Sequence, residues 1–513
     1  MFAKASSIDH HLPWRLSSLL VVAGLVLAAC GGNATAQPSN ETELRIGYDR
    51  IEQTDPALIS SDAEVSVANA VYDYLVDVDA NNEIQPRLAK SWDVSDDGLT
   101  YSFNLVQNAV FHDGSPLTAA DVLWTFNRLR DPDSGFATVE LYSDIESIEA
   151  TGDHQVTFTL STTNPFFLFD LSDNHALIVK DGTQDATDFN GTGPFVVDNY
   201  SPEDRIELSA NPDYFMDGQP GVDKLTYIFF SDRAAAVDAL RTDQVDLVMQ
   251  LPTPIYQSLE GQQGITRFQV ATNAFPVVRL RADQPPGDDP RVMQAMRKAI
   301  DRQEIFQLVQ QEMGAVGRDT PIGPLYGSFY TEEIPLPERD VEGAKQLLAD
   351  AGYPDGLDLT LRLPDAQNFP DLAVVLKNQL ADAGFNIDVS VEPESVYYGD
   401  NGWLDATFGI TGWGSRPYPQ FYLDVMLVCG AKWNESHFCD SEFDSFAETA
   451  GTATNEQEQV NAYFQIQQIL IERGPIIVPF FFPQLGAQRE VVQGFQMKAF
   501  PGRSDLRTVT INQ

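Results

Sequence analysis

Residues 84–129 read "IQPRLAKSWDVSDDGLTYSFNLVQNAVFHDGSPLTAADVLWTFNRL", and two periods meet in them. In Leu99–Val106, "LTYSFNLV", polar and apolar residues alternate, the mark of a half-buried strand. From Ser115 the period changes. Thr118 followed three residues later by Asp121 is a helix-start signal, and Val122, Phe126 and Leu129 fall on one helical face. That stripe reads as a packing face, and the stretch as a strand leading into an amphipathic helix.

The same grammar extends outward. "ELRIGYD" (43–49) is a strand, and "AEVSVANAVYDYLV" (63–76) has apolar positions at helical spacing. "HQVTFTLS" (154–161) alternates again, and "SDRAAAVDALRTDQVDLVM" (231–249) is a helix passing into a strand. The Gly-x-Gly of "NGTGP" (190–194) is a turn and not a phosphate loop, because no helix follows it. One helix is expected from Asp289-Pro290 through "RVMQAMRKAIDRQEIFQLV" (291–309), with proline at the favoured first position. "LLADAGYPDGLDLTLRL" (347–363) and "QLADAGFNIDVSV" (379–391) echo each other, each ending a helix at glycine (Gly352, Gly384) before a strand. "EQEQVNAYFQIQQILIERGPIIVPFFF" (456–482) repeats helix, glycine and strand. The expected class is mixed α/β with at least two sheet-bearing bodies.

The chain opens with Lys4 and Arg15, then an apolar run from Leu16 to Ala29 broken by Ser17, Ser18 and Gly24. That run is short of the ~20 residues a spanning helix needs. Residues 1–29 therefore read as a signal peptide. "LAAC" (27–30) resembles a bacterial lipobox, in which Cys30 is lipidated and becomes the new N-terminus. The alternative is an ordinary signal cut a few residues later. Residues 30–42 are small and polar, a flexible tether. The protein is thus expected to be exported and lipid-anchored, on the periplasmic or cell-surface side.

Of 513 residues, 75 are acidic and 32 are lysine or arginine, for a formal net charge of −43. So negative a field argues against nucleic acid or an anionic membrane surface as partner. The remainder after the signal is too long for one ordinary core, so two or three domains are expected. Beside Cys30, the other cysteines stand in "CGAKWNESHFC", Cys429 and Cys439. In an exported chain such a pair is most simply a disulfide, and a metal site using nearby His437 is the rival.

Catalytic signatures are absent from the sequence. There is no His-Glu-x-x-His, no Gly-x-Ser-x-Gly and no Gly-x-x-x-x-Gly-Lys, and the six histidines are scattered. No catalytic residue, metal or cofactor is assigned. A secreted hydrolase using a carboxylate pair is the remote alternative.

The stretch 84–129 closely resembles the signature segment of the family 5 solute-binding proteins, the peptide, nickel and opine binders of ABC importers. "GTGPFVVDNY" (191–200), "DDPRVMQAMRKAIDRQEI" (288–305) and "GAKQLLADAGY" (343–353) match further family blocks in order. The resemblance implies a two-lobed periplasmic-binding-protein-like fold with an extra inserted domain, its ligand cleft between lobes joined by a two-segment hinge. Lobe I would combine 41–70, 191–268 and 485–513; residues 71–190 would form the inserted domain and 269–484 lobe II. Hinge crossings would lie near Gln269–Thr272 and Pro483–Gly486. It also implies a monomer that closes on a solute and delivers it to an ABC permease with its ATPase subunits.

Dipeptide-binding members hold the ligand's amino group with an aspartate after a Gly-Trp pair. In "TGWGSRPYPQFYLDVMLVC" (411–429), Arg416 stands there, and Gln367 aligns with those members' carboxylate-binding arginine. An arginine repels an ammonium and suits a carboxylate. The implied ligand is a peptide or peptide-like solute with a preference for acidic ones. An opine-like anionic conjugate, a sugar or a nickel–chelate are the alternatives. Trp413, Ser415 and Arg416 are candidates on the family's pocket segment. Arg279 and Arg281 share one strand face and could line the cleft, with Phe275, Tyr397 and Tyr398 as aromatic walls. The Cys429–Cys439 disulfide is also what dipeptide binders retain.

Overall fold

The computed structural model describes residues 41–512. The expected signal peptide, Cys30 and most of the expected tether lie outside the described residues. Three main sheets organise the chain. A seven-stranded sheet runs, in spatial order, Ile265–Ala271, Pro483–Arg489, Leu247–Val248, Glu43–Tyr48, Lys224–Phe229, Arg205–Ala210 and Phe195–Ser201. A five-stranded sheet runs Phe385–Glu392, Leu357–Pro364, Phe408–Trp413, Phe275–Leu280 and Ile476–Ile477. A four-stranded antiparallel sheet, Ala89–Val94, Thr100–Leu105, Gln155–Leu160 and Ile145–Gly152, carries the opening stretch. These are two α/β lobes with an inserted β domain.

The local chemistry of the opening stretch explains its fold. Tyr101, Phe103 and Leu105 are buried on one face of their strand. In helix Ala119–Leu129, Val122, Phe126 and Leu129 are buried, and Asp121 Oδ2 accepts from the Thr118 backbone N–H at 2.7 Å and its Oγ1 at 3.1 Å. Phe126 meets Phe158 edge-on at 5.2 Å, so the helix closes over its own sheet. Gly193 donates its N–H to Val71 O at 2.8 Å; a Cβ there would sit 2.4 Å from the Val71 carbonyl carbon. The Gly-x-Gly is a close backbone crossing followed by strand Phe195–Ser201.

One expectation is corrected. The helix starting at Pro290 ends at Ala299, and a second one runs Arg302–Gln310. Ile300 is extended, and Asp301 begins the chain anew by accepting from the Glu304 N–H at 3.0 Å. An aspartate inside a helical pattern competes as a cap, and here the cap wins. The two glycine-ended repeats form as read. Helices Val341–Asp350 and Phe369–Ala381 lead into parallel strands paired Leu357↔Phe385, with Gly352 and Gly384 at φ +99° and +93°.

The connections between the lobes run side by side. Strands Ile265–Ala271 and Pro483–Arg489 pair antiparallel up to Ala271↔Pro483. Beyond that pair the Thr272 hydroxyl donates to Phe482 O, and Phe482 N–H to Ala274 O. A two-strand neck joins the lobes. No helix among the described residues is long and apolar enough to cross a membrane.

Candidate functional site

Strand Phe408–Trp413 leaves the five-stranded sheet beside the neck, paired Phe275↔Trp413. Pro417 and Pro419 then forbid further strand pairing, because proline has no N–H to donate. The resulting loop, Gly414–Gln420, is fixed by its backbone. Ser415 Oγ accepts from the Asn273 N–H at 3.1 Å, Tyr422 donates to Gly414 O at 2.6 Å, and Tyr326 donates to Arg416 O at 2.9 Å. Two contacts cross to the other body: Asn82 Nδ2 donates to Pro417 O, and Tyr418 donates to Asp170 Oδ1 at 2.6 Å. Tyr418 also stacks on Phe166, centroids 4.6 Å apart.

Beside this loop lies a cavity of about 330 Å³. It is walled by 415–421 and Trp433 of lobe II, by 137–141 and 169–175 of the inserted domain, and by the C-terminal segment 498–503. Its size lies at the lower end of the range for small-molecule sites.

The walls are charged in a defined way. Asp170 is buried, and burial pushes its carboxyl up to about 7 although Tyr418 and Asn164 donate to it. His175 puts Nδ1 2.6 Å from Asp173 and Nε2 2.9 Å from Ile59 O. Burial opposes its charge, but Asp173 outweighs burial and the His175 pKa is raised. Both ring nitrogens face acceptors, an arrangement that favours the protonated ring beside Asp173. Arg416 lies with its guanidinium 4.4 Å from the Phe421 ring centroid. Among the described residues it alone of the arginines makes neither an ion pair nor a side-chain hydrogen bond, in a chain of 75 carboxyl side chains.

The structure thus brings Ser415 and Arg416 to the cavity. Trp413 stands one layer behind, its ring 6.2 Å from that of Trp433, which borders the cavity. The other candidates lie elsewhere. Arg279 is fully buried, donating to Glu435 at 2.9 Å and to the carbonyls of Ala406 and Trp403. Arg281 is paired with Asp283 at 2.6 Å, near His437. Phe275 packs against Tyr422 and Phe481 in the core, Tyr397 is buried against Thr411, and Tyr398 lies on the surface against Trp403. The period-two reading placed the two arginines on one face correctly, but that face is occupied by carboxylates of the chain itself.

Sequence reasoning missed Glu435. It accepts from Arg279, from Thr411 Oγ1 at 2.7 Å and from Trp413 Nε1 at 3.0 Å, and so sets the indole behind the cavity. Glu435 and Trp433 lie within the loop that the Cys429–Cys439 disulfide closes. Cys429 and Cys439 are joined in a disulfide, and so joined their sulfurs are not thiolate ligands for zinc. Asp170 and Lys498 were also missed; they sit in unrelated parts of the chain, and only folding shows that they face one cavity.

Comparison with known proteins agrees with this architecture. The model of bacterial extracellular solute-binding proteins, family 5 Middle, matches residues 83–434. The probable di/tripeptide-binding protein 5 of Pseudomonas aeruginosa is 29% identical over 534 residues, covering 96% of this chain and 99% of that protein. Heme-binding protein A of Haemophilus influenzae is 29% identical over 523 residues, covering 89% and 92%. The solved structure of HbpA2 from Haemophilus parasuis shares the fold, with a TM-score of 0.82 at 23% identity over 92% of this chain and all of that one.

Proposed function

The chain belongs to the bacterial extracellular solute-binding proteins of family 5, and on that premise we propose that it captures a peptide-like solute bearing a carboxylate. It is the substrate-binding component of an ABC importer. The carrying observation is Arg416: a guanidinium at an interlobe cavity that rests on Phe421 and makes no ion pair or side-chain hydrogen bond among the described residues. A planar fork in that position takes a carboxylate bidentately. The similarity to a di/tripeptide-binding protein supports a peptide-like scaffold, and the arginine extends the reading to opine-like anionic conjugates.

In the proposed mechanism the solute enters when the lobes part at the neck. Closure then re-forms the Tyr418–Asp170 and Asn82–Pro417 hydrogen bonds around it. The closed form docks on the permease, with Cys30 as lipid anchor. Native mass spectrometry of residues 31–513 should show a bound acidic mass that is lost on denaturation. A neutral bound solute, or unchanged affinity for it in Arg416→Ala, would refute the assignment. Cys30→Ser should move the protein from the membrane to the soluble fraction; retention at the membrane would refute the anchor.

A further inference from the structure

Lys498 borders the same cavity from the opposite body, and its surroundings leave its charge poorly matched. The side chain is buried, the residue 8% exposed. Among the described residues its ammonium has one hydrogen-bond acceptor, Asp77 Oδ1, at 3.4 Å. That carboxylate is already crowded. Asp77 Oδ1 also accepts from Arg503 at 2.7 Å and from the Val78 N–H at 2.8 Å, and Oδ2 from Arg87 at 3.0 Å. The remaining acids of this cluster are taken too: Asp73 pairs with Arg87, and Asp505 with Arg507. Four cations, Arg87, Lys498, Arg503 and Arg507, therefore stand against three anions, Asp73, Asp77 and Asp505. The ammonium has three protons to place and one long contact, and a buried donor left short is costly.

No wall carboxylate of the cavity is free to take it. Asp170 is held by Tyr418 and Asn164, and Asp173 by His175. Asp79 accepts from the backbone N–H groups of Asn81 and Glu83 and from Gln85 Nε2. Two under-matched cations thus border one cavity from opposite bodies, Arg416 from lobe II and Lys498 from the C-terminal segment that packs with lobe I.

We propose that Arg416 and Lys498 form a two-lobe anion clamp, so that the solute is a peptide-like molecule with two carboxylates. The clamp rests on the solute-binding reading above and narrows its ligand class. Empty, the two like charges oppose closure. A dicarboxylate placed between them gives each lobe an anion to close upon, and ligand charge drives the closing.

The test is titration calorimetry on residues 31–513 with two isosteric probes, N-acetyl-alanylglutamate and N-acetyl-alanylglutamine. They differ in one carboxylate. The dicarboxylate should bind tighter by roughly tenfold or more. Lys498→Met should collapse that ratio toward one, and Lys498→Arg should keep it, which separates charge from a general loss of packing. Equal binding of the two probes to the native protein would overturn the clamp while leaving the solute-binding reading intact. So would a ratio that survives Lys498→Met. Native mass spectrometry adds a probe-free check, because a co-purified ligand with fewer than two acidic groups would overturn the clamp as well. Should neither probe bind and nothing co-purify, the peptide-like reading falls and takes the clamp with it.

Discussion

Arg279 and Arg416 carry the same head group on the same lobe, and the lobe treats them in opposite ways. Arg279 sits mid-strand in the five-stranded sheet, without exposure, and the fold supplies Glu435 and two carbonyl oxygens to hold it. Arg416 sits in a proline-broken loop at the cavity, makes no ion pair or side-chain hydrogen bond among the described residues, and has the face of Phe421 and the more distant charge of Asp173 beside it. Burial explains the difference. A cation sealed in a core must bring an anion with it, or the fold loses several kcal/mol. A cation at a cleft can stay solvated until a ligand arrives. An arginine's role is therefore read from its partners.

Glu435→Ala tests the buried side most severely. It strands the Arg279 charge and unties Trp413, and should destabilise the protein by about 3–5 kcal/mol in denaturant unfolding. A small loss would break the comparison. Replacing both Arg279 and Glu435 with methionine should recover much of that stability, because no charge is then left unpaired.

Arg416→Ala should do the reverse. Binding of an acidic solute should weaken by about 2–5 kcal/mol by calorimetry. Unfolding stability should change by no more than about 1 kcal/mol, since only the contact with the Phe421 ring is lost. A large stability loss would show Arg416 to be structural after all.

Opening the Cys429–Cys439 loop with a double serine variant should cost about 2–3 kcal/mol of stability through loop entropy. It should also weaken solute binding, because Trp433 and Glu435 ride on that loop. Binding unaffected by the double variant would uncouple the loop from the cavity.

The smallest effect concerns Asp170. Burial holds its carboxyl at about 7, so the folded protein keeps a proton that the unfolded chain releases in the ordinary carboxylate range. The sign follows from linkage. This group's contribution is complete below the ordinary carboxylate pKa and is lost as pH rises through about 7. Melting temperature should fall from about pH 5 to about pH 8, and Asp170→Asn should flatten that fall. An unchanged slope in the variant would remove Asp170 as its source.

Much of the scaffold was legible in the chain. Alternation in Leu99–Val106, the cap at Thr118 and the glycine-ended repeats at Gly352 and Gly384 each act within a few residues, so local chemistry specifies them. Ile300 marks the limit of such reading. The apolar pattern continues through it, while Asp301 caps a new helix, and the two local signals compete. Ser415 and Arg416 were singled out because a recognisable segment carries them, and the fold sets both at the cavity wall. For Arg279 the deciding partner was out of local view: Glu435, which holds it in the core, lies 156 residues away.

By itself, then, the sequence determined the α/β class, the family, the reach of its strands and helices, and the presence of an arginine where an ammonium-binding acid would stand. Tertiary structure alone decided which charges are matched. Period and propensity act over neighbouring residues, but the field around a charge sums over every group folding brings near it. Asp170, Lys498 and the pair Arg416 and Trp433 come from three distant stretches and acquire a common meaning only at the cavity wall.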